Sequence, residues 1–239
     1  MAEFNHLGQP VGAFVGDWLS RPRPTARPLQ GCWCRLEPLD PARHGAELFA
    51  SNSTDCGSRM WTYLPYGPFA EFATYASWLT RVANQGDPMF FAIIDESSQA
   101  VGVAAFQRID PNAGSIEVGH LAFSPALQRR RAATEAMFVM MRTVFDELGY
   151  RRYEWKCDAL NQASRRAAER LGFTYEGTFR QANVVKNRNR DTAWYSIIDS
   201  EWPPLRLALS QWLQRDNFDE SGRQRRSLSE FASQRSGHP

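Results

Sequence analysis

The sequence predicts an α/β domain in which helices cover a mixed β-sheet, and three observations carry that expectation. Segments with strand-like and helix-like patterning alternate, with strands in direct succession early and again late in the chain. Hydrophobic residues make up 43% of the 239 positions and aromatic residues 13%, including 8 Trp and 15 Phe, enough for a real core. The clearest element is a helix just after a proline-ended strand. Ala133, Ala136, Met140, Val144 and Leu148 recur at helical spacing, and Gly149 stands where a C-terminal cap belongs. At roughly 1.6 times a ~150-residue domain, the length suits one domain with extensions.

Residues 1–30 read as an N-terminal extension. Gly8, Pro10, Gly12, Gly16, Pro22, Pro24 and Pro28 break any regular period, although Phe14, Val15, Trp18 and Leu19 offer apolar contacts. The domain proper is expected over 31–213. A strand at 32–36 and a helix at 43–49 open it. The proline-interrupted stretch Trp61-Thr-Tyr63-Leu-Pro65-Tyr66-Gly-Pro68 then leads to a helix at 69–84, with Phe72, Ala76, Leu79 and Val82 near helical spacing.

Strands at 89–95 and 100–108 flank a polar turn, and the small residues of Val101-Gly-Val-Ala-Ala-Phe106 suit a tightly covered strand. The turn Asp110-Pro-Asn-Ala-Gly114 enters a strand at 116–123, which Pro125 ends. Beyond the long helix follow a strand at 152–157, a helix at 162–171 stopped by Gly172, and strands at 173–179 and 192–198. The loop expected between those strands carries Arg180, Lys186, Arg188 and Arg190, with Asp191 at its exit. A helix at 205–213 precedes a polar tail, 214–239, rich in Arg and Ser and expected to be mobile. Trp202 and Trp212 on an exposed terminal helix would offer a homodimer surface.

Composition narrows the function. Lys+Arg 28 against Asp+Glu 26 gives a formal charge of +2, too balanced for a dedicated nucleic-acid binder. No apolar run approaches the roughly 18 residues that span a bilayer. The start Met1-Ala2-Glu3-Phe4 lacks the layout of a secretory signal. Cys32, Cys34, Cys56 and Cys157 form no CxxC pair and join no His at metal spacing, so reduced thiols, a cytoplasmic location and no metal are expected.

The chemistry concentrates in 115–177. A strand end feeding into a helix start presents unpaired N–H groups and a positive dipole end, which suits a pyrophosphate. Arg129, Arg130 and Arg131 at that start would add charge-assisted bonds to phosphate oxygens. A solvated basic face is the plain alternative, but a basic first turn opposes the helix dipole unless an anion is present.

The order of strand, proline, Gln128-Arg-Arg-Arg-Ala-Ala-Thr-Glu-Ala136, helix, Leu148-Gly-Tyr-Arg-Arg152, strand, Asn161-Gln-Ala-Ser164, helix, Arg170-Leu-Gly-Phe173 and Tyr175-Glu-Gly177 resembles the GNAT acyl-CoA-dependent N-acetyltransferases. Within them it is similar to the branch containing ribosomal-protein N-terminal acetyltransferases. The closing run from Asn189-Arg-Asp191 through Trp194-Tyr195 to Glu201-Trp202 also resembles that branch. The resemblance covers about residues 36–202. It implies a single domain on a mostly antiparallel twisted sheet, acetyl-CoA as cosubstrate, and an amine acceptor attacking directly within a ternary complex. The acceptor would be a protein N-terminus or a small-molecule amine. Arg131 stands where the family pattern has its central glycine. A φ above zero there would cost a side chain about 1–2 kcal/mol, whereas a helical φ costs nothing.

By the same resemblance, the pantetheine arm would run along Leu121, Ala122 and Phe123, and its phosphates would meet Gln128, Arg129, Arg130, Arg131, Ala132, Ala133 and Thr134. Asn161 and Ser164 would lie beside the thiol, with Ser164 protonating the leaving thiolate; simple helix capping is the alternative. Glu117 is the general-base candidate, against an ordinary charge pair in the sheet, and His120 is the second choice for that role. Tyr195 is another possible proton donor or a core aromatic. Trp61, Tyr63, Tyr66, His120 and Asp191 would face the acceptor. The basic loop would attract an acidic acceptor or rim the phosphates, or Arg190 would simply pair with Asp191. Two other classes stay open at this level: a non-catalytic acyl-CoA-binding module, and nucleic-acid binding through the arginine clusters.

Overall fold

A computed structural model describes residues 3–233; the expectations for Met1, Ala2 and residues 234–239 lie outside the described residues. Two exposed two-residue strands, β1 (Glu3–Phe4) and β2 (Pro10–Val11), form a hairpin, and β3 (Leu29–Gln30) and β4 (Cys34–Pro38) start the main sheet. Helix α1 (Pro41–Ser53) begins with Asp40, whose carboxylate accepts the Ala42 and Arg43 N–H groups at 2.9 and 3.3 Å, and with Pro41 in the first turn. Helix α2 (Phe72–Ala83) and strands β5 (Met89–Asp95), β6 (Ala100–Asp110) and β7 (Ser115–Phe123) follow. Next come α3 (Arg131–Arg142), continued by a π turn (Thr143–Glu147), β8 (Arg152–Asp158), α4 (Gln162–Arg170), β9 (Thr174–Val185) and β10 (Arg188–Ile198). Helices α5 (Trp202–Trp212) and α6 (Leu228–Ser233) close the described chain.

The sheet runs β3-β4-β5-β6-β7-β8-β10-β9, and every neighbouring pair is antiparallel except β7–β8. That is the mixed, mostly antiparallel sheet the sequence led us to expect. Strand alternation sorts the apolar residues to two faces. Phe91, Ile93, Ala104, Phe106, Ile116 and Val118 pack toward α3, while Phe90, Ala92, Ile94, Val103 and Ala105 pack toward α1 and α2 with Tyr75, Trp78 and Leu79. Gly102 lies beneath Leu127, where a Cβ would collide. This is why β6 is built of small residues. Gly149 ends the long helix at φ +66°, with the Tyr150 N–H bonded to the Val144 carbonyl at 3.1 Å.

Three expectations need correction. The anticipated loop at 180–191 is instead the far end of a long β9–β10 hairpin, turning through Lys186 and Asn187 at φ +49° and +59°. Its polar residues show no apolar alternation because most of β9 is exposed on both faces. The expected mobile tail is packed over residues 214–233: Phe218 and Leu228 are buried, and Trp33 meets Phe218 edge-on at 5.8 Å. Trp202 and Trp212 are likewise buried in this chain's own core and offer no exposed face for a partner. In the extension, Trp18 docks, donating its indole N–H to the Asn112 carbonyl at 2.6 Å, while Phe14, Val15 and Leu19 stay exposed.

Phe106 is fully buried between Phe91 and Tyr153. Phe106→Ala should lower unfolding free energy by about 3–5 kcal/mol in a urea titration, whereas Phe14→Ala at the exposed N-terminal arm should stay within about 0.5 kcal/mol.

Candidate active site

The site begins where the one parallel pair comes apart. β7 and β8 are paired from Ser115↔Arg152 to Val118↔Trp155, and no further. A bulge at His120, which takes φ +53°, shifts the register against β6 from Ala105↔Gly119 to Val103↔Ala122 and bends β7 away. The β8-facing edge of residues 119–123 therefore has no strand beside it. Backbone groups there are available to an extended ligand arm, which they would bind as a strand is bound. Leu121 and Phe123 are half-buried and Ala122 is buried.

Past Phe123 the chain makes a tight turn into α3. Ser124 is buried, its N–H bonded to the Val101 carbonyl at 3.1 Å and its Oγ accepting from Ser51 at 2.7 Å. Its carbonyl accepts the N–H groups of Leu127 and Gln128, both at 3.0 Å, while Gln128 donates from its amide to the Phe123 carbonyl at 2.8 Å. Arg130 caps α3 in an extended conformation with no side-chain bond to the first-turn N–H groups. Unbonded N–H donors at a helix start are chemically suited to a phosphate. The left-handed residue is Arg129, at φ +60°, and Arg131 is already helical, so no strain falls at the position where the family has glycine.

The three arginines divide. The Arg131 guanidinium pairs with Glu96 at 3.0 Å and stacks on Trp33 at 3.6 Å from the ring centroid, which turns it away from the turn. Arg129 and Arg130 are exposed and remain able to reach a phosphate. Ala132 and Thr134 are buried, Ala133 is half-buried, and Thr134 accepts from Arg170 at 3.0 Å. One carboxylate missed at the sequence level holds α3 in place: Glu135 accepts the N–H groups of Cys32, Trp33 and Cys34 at 2.8, 2.5 and 2.8 Å.

Between the parted strands lies a cavity of about 550 Å³, within the usual range for small-molecule sites. It gathers Glu117 and His120 from β7, Ser164 and Asn161 from the start of α4, and Tyr63 from the aromatic segment. Glu117 is 3% exposed. Its Oε1 accepts from Gln107 at 2.7 Å, and Gly119 has no Cβ because that Gln107 side chain occupies the space. Its Oε2 sits in ion pairs 3.0 Å from Lys156 Nζ and 3.3 Å from Arg108 Nε. Burial pushes the Glu117 carboxyl up, against the pull of Lys156 and then Arg108. His120 stacks on Tyr66 at 5.6 Å, and burial, aided by the Arg190 charge, holds its imidazole down at about 4.

At the opposite wall Asn161 caps α4, accepting the Ser164 N–H at 3.1 Å, and Ser164 Oγ accepts the Trp155 indole N–H at 2.9 Å. Capping and cavity lining thus coincide in one pair. Other expected residues stand outside the cavity. Tyr195 is buried under α4, donating to Glu169 at 3.1 Å and accepting from Arg165 at 3.0 Å. Trp61 is a core residue packed edge-on against Phe69 at 5.4 Å, and Tyr66 supports His120 from behind. Asp191 faces a separate shallow recess, accepting from the Gln181 backbone at 2.7 Å and Asn189 at 3.0 Å. It does not pair with Arg190. Lys156, Arg108, Gln107 and Trp194 also line the cavity but were not singled out from sequence. The alternating charges Arg152, Glu154 and Lys156 on β8 were the signal available. Among the described residues, no group of three His, Cys, Asp or Glu side chains is placed to hold a metal, and no helix is long and apolar enough to cross a membrane.

The parted parallel pair, the proline turn and the uncapped helix start all lie in the stretch whose residues resemble the acyl-CoA-dependent acetyltransferases. The family described as an acetyltransferase (GNAT) domain matches residues 35–174, and the chain belongs to it. A GCN5-related N-acetyltransferase from Brucella melitensis is similar in structure at 49% identity and TM-score 0.90, covering 92% of this chain and all of that one. A probable GNAT-family acetyltransferase from Chromobacterium violaceum follows at 44% identity and TM-score 0.75, covering 81% of this chain and 97% of that one. The ribosomal-protein-serine acetyltransferase of Escherichia coli is 29% identical over 130 residues, 51% of this chain and 72% of that protein. The protein is an acyl-CoA N-acetyltransferase with acetyl-CoA as its cosubstrate.

Replacing Arg129 and Arg130 together by Ala should raise KM for acetyl-CoA about 10-fold or more, since each removes a charge-assisted phosphate contact. Steady-state kinetics with acetyl-CoA and its 3′-dephospho analogue, compared with Arg131→Ala, will separate phosphate contacts from the structural role of Arg131.

Proposed function

We propose that the protein transfers the acetyl group of acetyl-CoA to a primary amine, at a protein N-terminus or on a small molecule, by direct attack within a ternary complex. The observation that carries this reading is the meeting, in one cavity, of a β7 edge open to the cosubstrate arm, a buried carboxylate and a serine hydroxyl.

The acceptor must lose a proton to attack. At pH 7 that costs roughly 4.6 kcal/mol for a lysine-like amine of pKa ~10.4, but only about 1.4 kcal/mol for an α-amine near pKa ~8. An α-amine is therefore the easier nucleophile. Glu117 takes the proton, directly or through water. Its raised pKa brings it closer to the amine's. His120, held near 4, is the weaker base. As the amine nitrogen bonds to the thioester carbon and the C–S bond breaks, the Ser164 hydroxyl donates to the departing sulfur. Its oxygen accepts from Trp155, and its proton turns from the Cys157 thiol to the departing sulfur for that role. Backbone N–H groups of 119–123 can polarise the carbonyl.

Cys157 lines the same cavity, yet burial pushes its thiol up, only partly offset by the Ser164 hydrogen bond and the Arg190 charge. A thiol held protonated is a poor acyl carrier, which supports direct attack. The name of the Escherichia coli relative, a ribosomal-protein-serine acetyltransferase, supports a protein acceptor. Four free cysteines fit a reducing compartment such as the cytoplasm.

Initial rates with acetyl-CoA varied against peptide α-amines and small amines should give intersecting double-reciprocal lines; parallel lines would indicate an acyl-enzyme and overturn direct attack. Glu117→Gln should lower kcat/KM by about 10²–10⁴. In the wild type the acid limb of kcat/KM should lie above the ordinary carboxylate range, because activity needs Glu117 ionised and its pKa is raised. The variant should lose that limb and keep only the acceptor amine's own ionisation.

A further inference from the structure

The cavity holds two buried donors without a protein partner, and both come from β10. Among the described residues Arg190 Nε and Trp194 Nε1 are shielded from solvent and bonded to no acceptor, and both side chains line the cavity. Neither group can accept a hydrogen bond, so only an acceptor atom satisfies it. The neighbouring charges are already engaged. Arg108 and Lys156 both lie against Glu117, Asp158 accepts the Leu160 N–H at 2.9 Å, and Asp191, adjacent in sequence, is bonded to Gln181 and Asn189. Among the described residues Arg190 has no ion-pair partner. Its charge nevertheless acts inside the cavity, on His120 from one wall and Cys157 from the other.

Arg190 is half-buried, but its Nε is shut off from water with no acceptor, an unmet donor that is costly, and a planar fork of donors matches two carboxylate oxygens. We propose that the acceptor carries a carboxylate close to its reactive amine, and that Arg190 binds it with the Trp194 indole as second donor. Residues 128–134, which form the phosphate turn, do not line this cavity, so the anion belongs to the acceptor and not to the cosubstrate. The proposal deepens the amine-acceptor reading and rests on it.

The test compares two acceptors with the same α-amine and one charge between them, Ser-Glu-Ala amide and Ser-Gln-Ala amide. In the wild type kcat/KM should favour the Glu peptide by about 10–100-fold, the range of a charge-assisted hydrogen bond. Arg190→Ala should bring that ratio close to one, and Arg190→Lys should retain part of it. A ratio near one in the wild type, or a preference that survives Arg190→Ala, overturns the proposal. Damage to the fold lowers both rates together and leaves the ratio intact, so it cannot imitate the expected result. Calorimetric binding of the same two peptides in the presence of CoA reads the ratio without turnover: a Glu preference lost in Arg190→Ala supports the proposal, and equal or absent binding overturns it. Selective binding of the Glu peptide without acetylation of any amine overturns the amine-acceptor reading alone.

Discussion

Everything at the site depends on one interrupted hydrogen-bond ladder. A parallel pair in the middle of a sheet is normally continuous and buried on both faces. Here it stops after Val118↔Trp155, because the bulge at His120 turns β7 while β8 stays in register with β10. Backbone donors and acceptors are strong groups that require partners, so an unpaired edge inside a protein is a binding surface by construction. The cavity, the exposed carbonyls and amides, and the approach to α3 all follow from that parting.

The second constraint is electrostatic. The helix start is uncapped and basic, an arrangement that opposes its own dipole and is relieved by an anion. Glu96 and Trp33 withdraw Arg131 from that conflict, while Arg129 and Arg130 stay free at the surface. Within the cavity the opposite problem is met by pairing: Glu117 is buried yet flanked by Lys156 and Arg108, so its affinity for a proton is set by burial against two cations. The basic helix start and the buried carboxylate stand at separate places, and β7 links them.

Much of the fold was legible because local rules sufficed. The 3.6-residue period of α3, the stop at Pro125, the cap at Gly149 and the small residues of β6 each act within a few positions of themselves. The same holds for the capping pair Asn161 and Ser164, which the family resemblance, and not the spacing, put beside the cosubstrate thiol. The β9–β10 hairpin was illegible for a matching reason: an edge ribbon with both faces wet shows no apolar alternation to read. Phe218 and Leu228 lie in polar surroundings in sequence and are buried only because the tail folds back on Trp33 and Trp212.

By itself, the sequence determined the order of the main elements, the basic start of α3 and the family to which the chain belongs, since each rests on contiguous residues. Tertiary structure alone decided which titratable groups meet. Glu117, Lys156 and Arg108 come from three strands, and Arg190 and Trp194 reach the cavity only through the pairing of β10 with β8. It also removed Tyr195, Trp61 and Asp191 from the cavity by giving their polar groups partners elsewhere or by burying them in the core. The physical reason is that burial and charge pairing are properties of distance in space, which periodicity along a chain does not encode.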